Sequence, residues 1–247
     1  MTSAAARRAI YLDEIGVGPL WTRRDAPAPP AAMATEDLPE PTLLAPPSAE
    51  PAGEIAVMDW TRLKSAVAGC VKCGLCQSRT QPVFGVGDEK AKWLFVGEGP
   101  GYNEDLQGEP FVGQAGKLLD NMLMAMGLRR GENAYIANIV KCRPTDADGR
   151  DRPPSADEVA ACLPYLQRQI ELIQPAVIVA LGKTAAVSLL GLDGDTPVSR
   201  LRGTVHRYAE VPLVVTYHPA YLLRNLADKK KAWADLCLAM ATYAGGS

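Results

Sequence analysis

A chain of 247 residues, 47% hydrophobic and 22% charged, has the balance of a folded soluble domain and enough length for one substantial core. No stretch reaches the roughly 18 apolar residues of a membrane span, and the N-terminus lacks a secretory succession of basic, apolar and small residues, so a cytoplasmic protein without membrane contact is expected. The formal net charge of −2 hides a division, with four Lys/Arg against nine Asp/Glu through Asp59 and 22 against 19 from Trp60 onward. The acidity belongs to the N-terminal part, and the slightly basic remainder is compatible with a phosphate backbone as partner without strongly indicating one.

In chain order, residues 1–25 form an N-terminal segment in which Ile10, Tyr11, Ile15 and Leu20 fit a short helix that docks locally or on a protein partner. Residues 26–58 are rich in Pro and Ala and read as a disordered linker. The remaining 59–247 alternate between helical and strand patterns. A helix spans Asp59 to Ala68, an apolar strand follows at Trp93 to Val96, and a second helix covers Gly116 to Met126. A strand at Tyr135 to Val140 precedes a helix opened by Ser155, with Glu158 three residues on as in a capping box. The run Ala176 to Leu181, a helix at Thr184 to Leu190, a strand pair at Val205 to Tyr208 and Val211 to Thr216, and a last helix at Lys229 to Tyr243 complete the pattern. Short apolar strands alternating with helices predict an α/β fold with a mostly parallel sheet covered on both faces. In such folds the site lies at the C-terminal strand ends.

Three of those strand ends run into residues suited to chemistry: Gly97-Glu98-Gly99-Pro100-Gly101, Asn138 with Lys141, and His218-Pro219. The first continues into a long loop with Glu104 and Phe111, where an aromatic ring could pin the loop to the core or offer a platform to a flat ligand. His218, one of two histidines, is held at its strand end by Pro219. Cys70, Cys73 and Cys76 are spaced two residues apart, and Cys142 and Cys162 lie far downstream. Disulfides are poor candidates in a reducing compartment, whereas this spacing suits thiolates turned toward one metal centre. Spacing alone leaves zinc and an iron–sulfur cluster both open. Cys237 falls in an amphipathic helix and reads as a small core residue.

Taken together, Gly97 to Gly101 with Glu104-Asp105, then Gly108 and Pro110 to Gly113, Asn138, Lys141 to Pro144, and His218 to Ala220 with Leu222 to Asn225 resemble the family 4 uracil-DNA glycosylases. Cys70 to Gly87 and Leu201-Arg202-Gly203 also fit, so the resemblance runs in order from Cys70 to about Leu236 and leaves out the first sixty residues. It implies the uracil-DNA glycosylase fold, three α/β/α layers with a central, mostly parallel four-stranded sheet, together with hydrolysis of the bond between uracil and the sugar in single- or double-stranded DNA, and a monomer. It also implies a [4Fe–4S] cluster on Cys70, Cys73, Cys142 and Cys162, with Cys76 outside the set. His218 would stabilise charge developing on uracil O2, Asn138 would read O4 and N3–H, and Phe111 would stack on the flipped base. Glu104 would crowd the C5 face against the thymine methyl. Glu98 and the Gly99 backbone would hold the attacking water, and Leu222, Leu223 and Arg224 would enter the duplex.

One stretch departs from the family pattern. Pro144 to Pro153 is longer than the usual loop and contains no histidine. Related uracil binders carry in this loop a histidine that becomes joined to the sugar, so its absence favours a hydrolase that turns over. A redox or metal-sensing protein would account for the cysteines but leaves Asn138, Phe111 and His218 unexplained. A glycosylase-fold DNA-binding module with lost or altered base specificity is the other alternative.

Overall fold

The computed structural model describes residues 54–245, so the helix expected within residues 1–25 and nearly all of the linker lie outside the described residues. The folded domain reaches further upstream than Asp59. Ile55–Val57 form a 3-10 turn whose Ile55 is buried in the core, and the carbonyl of Met58 accepts a 2.6 Å hydrogen bond from Arg168 Nε. Helix α1, Trp60–Ala68, is capped by the Asp59 carboxylate, which accepts from the Arg62 N–H.

The strands are β1 (Val86–Gly87), β2 (Trp93–Gly97), β3 (Ala134–Asn138), β4 (Val177–Leu181), β5 (Val205–Tyr208) and β6 (Val211–Thr216). They make one sheet of order β1-β3-β2-β4-β6-β5. The four inner strands are mutually parallel, and β1 and β5 add antiparallel edges. The expected four-stranded sheet is therefore a six-stranded one whose parallel part has four strands. β1 escapes sequence reading because two residues, one of them glycine, carry no alternation.

Every residue of β2, β3 and β4 is buried, as parallel strands covered on both faces require. Alternate residues divide between two cores. Leu94, Val96, Tyr135, Ala137, Ile178 and Ala180 face the layer containing α1, α4 (Ala156–Ile173) and α5 (Lys183–Leu190). Trp93, Phe95, Ile136, Val177 and Val179 face α3 (Gln114–Ala125) and α8 (Lys229–Gly245). The three-layer α/β/α arrangement thus holds. The capping box at the start of α4 is present, with Ser155 Oγ accepting from the Glu158 N–H and Glu158 accepting from the Ser155 N–H.

Two short helices complete the site-bearing end. The long segment after β2 contains α2, Tyr102–Gln107, ended by left-handed Gly108; six residues are too few to display a helical period. After α6 (Val198–Leu201) and the β5–β6 hairpin comes α7, Pro219–Arg224, with His218 as its N-cap. Among the described residues no helix is long and apolar enough to cross a membrane.

Candidate active site

Parallel pairing sets the C-terminal strand ends side by side. Gly97 stands opposite Asn138 across β2 and β3, and Leu181 opposite Thr216 across β4 and β6. These ends open into a cleft of about 500 Å³ whose walls include Glu98, Gly99, Glu104, Phe111, Asn138, His218 and Arg224. Seven residues expected from the sequence therefore meet in one place.

Asn138 is 2% exposed, and its Oδ1 is a buried polar atom with no hydrogen-bond partner. Leaving such an atom unpaired costs about 1–3 kcal/mol, so the fold holds an acceptor in reserve for a donor. Gly97 makes the space: a Cβ there would stand 2.4 Å from Asn138 Oδ1 and 2.5 Å from Phe111 Cζ. A larger residue would displace both side chains.

Phe111 adopts left-handed backbone geometry, φ 57°, which is strained for an aromatic residue. Three devices hold it. Arg130 donates to the carbonyls of Pro110 and Phe111, each at 2.8 Å, and is itself paired with Asp120. Gly116 lets the turn approach α3, since a Cβ would fall 1.8 Å from the Phe111 carbonyl oxygen. Glu104 Oε1 accepts from the N–H groups of Val112 and Gly113 at 2.9 and 3.1 Å. The carboxylate of Glu104 thus braces the turn as well as lining the cleft. The Phe111 ring stacks near His218, with centroids 5.5 Å apart.

His218 accepts the Ala220 N–H at Nδ1, 3.2 Å away. A neutral ring so engaged carries its proton on Nε2 and keeps Nε2–H as its donor. Burial lowers its pKa to about 4, the positive charge of Arg224 adds to that, and Glu104 opposes it. The imidazole is accordingly neutral near pH 7. Across the cleft, Thr184 Oγ1 donates to Glu98 Oε2.

The loop from Pro144 to Pro153 is a hairpin. Thr145 bridges to Asp151, Asp151 pairs with Arg143, and Arg152 forms a two-point ion pair with Glu158 at 2.8 and 2.6 Å. Through Pro144, Asp151, Arg152 and Pro153 it supplies one wall of the cleft.

Leu222 does not take the expected place at the DNA-facing surface. It is 1% exposed and packs with Leu118, Met122 and Leu236. Consecutive helical residues point about 100° apart, and this phase turns Leu222 inward while Leu223 is 41% exposed.

A second, much smaller cavity, about 10 Å³ against the 500 Å³ of the cleft, lies on the α1–α4 side and is lined by Cys70, Cys73, Cys76, Cys142 and Cys162. The expected four cysteines are brought together, and Cys76 joins them. The Lys141 N–H donates to Cys162 Sγ at 3.2 Å, and Arg79 donates to Cys142 Sγ at 3.1 Å. Burial pushes the Cys162 thiol up to about 11 and raises Cys73 and Cys142, so thiolates here require a compensating cation. Among the described residues no three His, Cys, Asp or Glu converge on a point suited to one metal ion. A sulfur-lined cavity with donors on two sulfurs fits a polynuclear centre held by several thiolates.

A strand-end cleft with a buried amide, a stacked aromatic and a neutral imidazole defines a site for a flat polar ring. The model of the uracil DNA glycosylase superfamily matches residues 84–237, and the chain belongs to that superfamily. A Type-4 uracil-DNA glycosylase of Archaeoglobus fulgidus is 48% identical over 64% of this chain and 79% of its own length. One from Pyrobaculum aerophilum is 40% identical over 73% of this chain and 93% of its own. The Type-5 uracil-DNA glycosylase of Pyrobaculum aerophilum is 30% identical over 59% and 68%.

Sequence reasoning missed Arg130, Thr184 and the wall formed by Arg152. Arg130 acts on backbone carbonyls, and no side-chain pattern announces such a partner. Arg130→Met should lower stability by about 1–3 kcal/mol in urea unfolding and speed amide exchange at Val112 and Gly113 while leaving β4 unchanged. Unaltered exchange in that turn would show that Arg130 does not hold it.

Proposed function

We propose that this protein is a monofunctional uracil-DNA glycosylase, hydrolysing the N-glycosidic bond of uracil in DNA and leaving an abasic site for base excision repair. The observation that carries this reading is the orphaned Asn138 Oδ1, buried beside Phe111 at the floor of the cleft. Oδ1 accepts the uracil N3–H and the amide nitrogen donates to O4. Cytosine offers the opposite pattern and would leave buried groups unpaired, a costly mismatch. Phe111 stacks on the flipped base, which has left the duplex at the cost of its own stacking.

As the bond to the sugar lengthens, negative charge gathers on uracil and oxocarbenium character on the sugar. His218, neutral and protonated at Nε2, donates to O2 and stabilises the leaving anion. Glu98, oriented by Thr184, and the Gly99 backbone hold the water that attacks C1′. Glu104 braces the Phe111 turn and stands toward the C5 face, where a thymine methyl would be crowded. Leu223 and Arg224 contact DNA at the cleft mouth; buried Leu222 is left out of that role.

Cys70, Cys73, Cys142 and Cys162 would hold a [4Fe–4S] cluster, which would cross-link the Cys70 segment to the Cys142–Cys162 region and order the adjoining surface. The wider reading is a cytoplasmic monomer acting on single- or double-stranded uracil-containing DNA, in which residues 1–25 and a linker precede the catalytic domain and offer a contact for a protein partner.

A labelled oligonucleotide with one uracil should give alkali-labile scission, and thymine and cytosine controls should not. Asn138→Ala should lower kcat/KM roughly 100-fold, and His218→Ala about 100- to 1000-fold, with DNA binding retained. Intact binding without scission in the unaltered protein would favour a binding module or another base.

The depressed pKa of His218 fixes the pH dependence. A ring kept neutral in the fold contributes stability that is fully present above the unfolded value of about 6.5 and is lost as pH falls toward about 4. The pH profile of kcat/KM should show no inflection near 6.5 from this group and should decline only toward pH 4. A rate falling above pH 6.5 that His218→Gln abolishes would mean that imidazolium is the working form.

Anaerobically purified protein should contain about four iron atoms per chain. Cys142→Ala should lose them, whereas Cys76→Ala and Cys237→Ala should keep them; iron retained in Cys142→Ala would remove that residue from the ligand set.

A further inference from the structure

Lys141 is 1% exposed and lies between the two cavities, on the turn that leaves β3. Its Nζ donates to the Asn138 carbonyl at 2.9 Å and to Gln169 Oε1 at 2.6 Å. Its own N–H donates to Cys162 Sγ. Gln169, itself fully buried on α4, is anchored by donating to the Phe84 carbonyl at 3.0 Å. Both acceptors of the ammonium are neutral oxygens. Burying a cation against neutral partners is expensive, so space filling gives no reason for lysine where an apolar side chain would serve.

The peptide linking Asn138 to Ile139 supplies the reason. Its N–H side is fixed because Ile139 N–H donates to the Gly97 carbonyl at 2.9 Å. Its carbonyl side is fixed by Lys141 Nζ. A peptide held on both sides resists rotation, and a change of backbone angle at Asn138 would redirect its side chain and the unpartnered Oδ1 within the cleft.

We infer that Lys141 is a positioning residue for base recognition: its ammonium locks the Asn138–Ile139 peptide, and its backbone N–H ties the same turn to the cysteine-lined cavity. The inference rests on the uracil-reading role given to Asn138. It makes the sulfur cavity a mechanical neighbour of the recognition amide, three residues away along the chain, without giving the cavity a part in the chemistry.

The test is a double-mutant cycle on the full-length protein with Lys141→Met, Asn138→Ala and both together, read as kcat/KM on a uracil oligonucleotide. Lys141→Met alone should lower kcat/KM about 10- to 100-fold, but by less than about 2-fold in the Asn138→Ala background, where no amide remains to be positioned. Amide exchange at Ile139 and Val140 should quicken in Lys141→Met, with β4 unchanged and the iron content per chain preserved. Equal losses in both backgrounds, or unchanged exchange at Ile139 and Val140, would overturn the inference. Should Lys141→Met fail to fold, Gln169→Leu frees the ammonium from its second anchor and enters the same cycle. Should the unaltered protein release no uracil, the functional reading fails by itself, and the exchange measurement alone decides whether Lys141 holds the peptide.

Discussion

Parallel pairing of β2 with β3, in the register that sets Gly97 opposite Asn138, is the constraint from which the cleft follows. Both strands are buried on both faces, so a slip by one residue would exchange the two cores and is strongly disfavoured. With that register fixed, the missing side chain of Gly97 lies where Asn138 and Phe111 need room. The Ile139 and Val140 N–H groups also meet the carbonyls of Gly97 and Glu98. The sheet register therefore also sets the floor of the cleft, and the core holds in place an amide oxygen that has no partner within the protein.

Around that floor, charge is managed by neighbours rather than by exposure. Glu104 spends one oxygen on two backbone N–H groups, which fixes a strained aromatic turn. His218 receives a backbone N–H on one ring nitrogen, which leaves the other as donor. Burial keeps the ring neutral, and Arg224 discourages a second proton. A neutral donor stabilises a departing anion without first having to be charged in a dry site. Positive charge in the cleft wall comes from Arg152, Lys183 and Arg224, and Arg152 is tied to Glu158 in the helix cap behind it.

Much of this was legible from residue order because buried parallel strands are written as unbroken apolar runs, and Trp93 to Val96 and Ala176 to Leu181 are such runs. Strand-end Asn138 and His218 were legible because polar residues directly after such runs have few structural reasons to be there. What was hidden had a physical cause in each case. Val86–Gly87 is too short to alternate, and Tyr102–Gln107 is too short to show a helical period. Leu222 and Leu223 are equivalent as letters, and only the phase of α7 decides which is buried. Arg130 binds carbonyl oxygens, which every residue possesses. Cys76 could be set aside by family pattern but not by position, since it lines the same cavity as the other four.

The two cavities are linked by a short stretch of chain whose residues alternate in allegiance. Asn138 lines the cleft, Ile139 and Val140 belong to the core, Lys141 bonds toward both sides, and Cys142 lines the sulfur cavity. Five residues leave little slack, and hydrogen bonds from the Ile139 N–H, the Lys141 N–H and the Lys141 ammonium fix the stretch along its length. α4 completes the closure by presenting Cys162 to one end of this stretch and Gln169 to its lysine. On the function proposed above, a centre that cross-links the fold there would also bear on specificity, because it would limit how far the Asn138 amide can move and so how well a mismatched base is excluded.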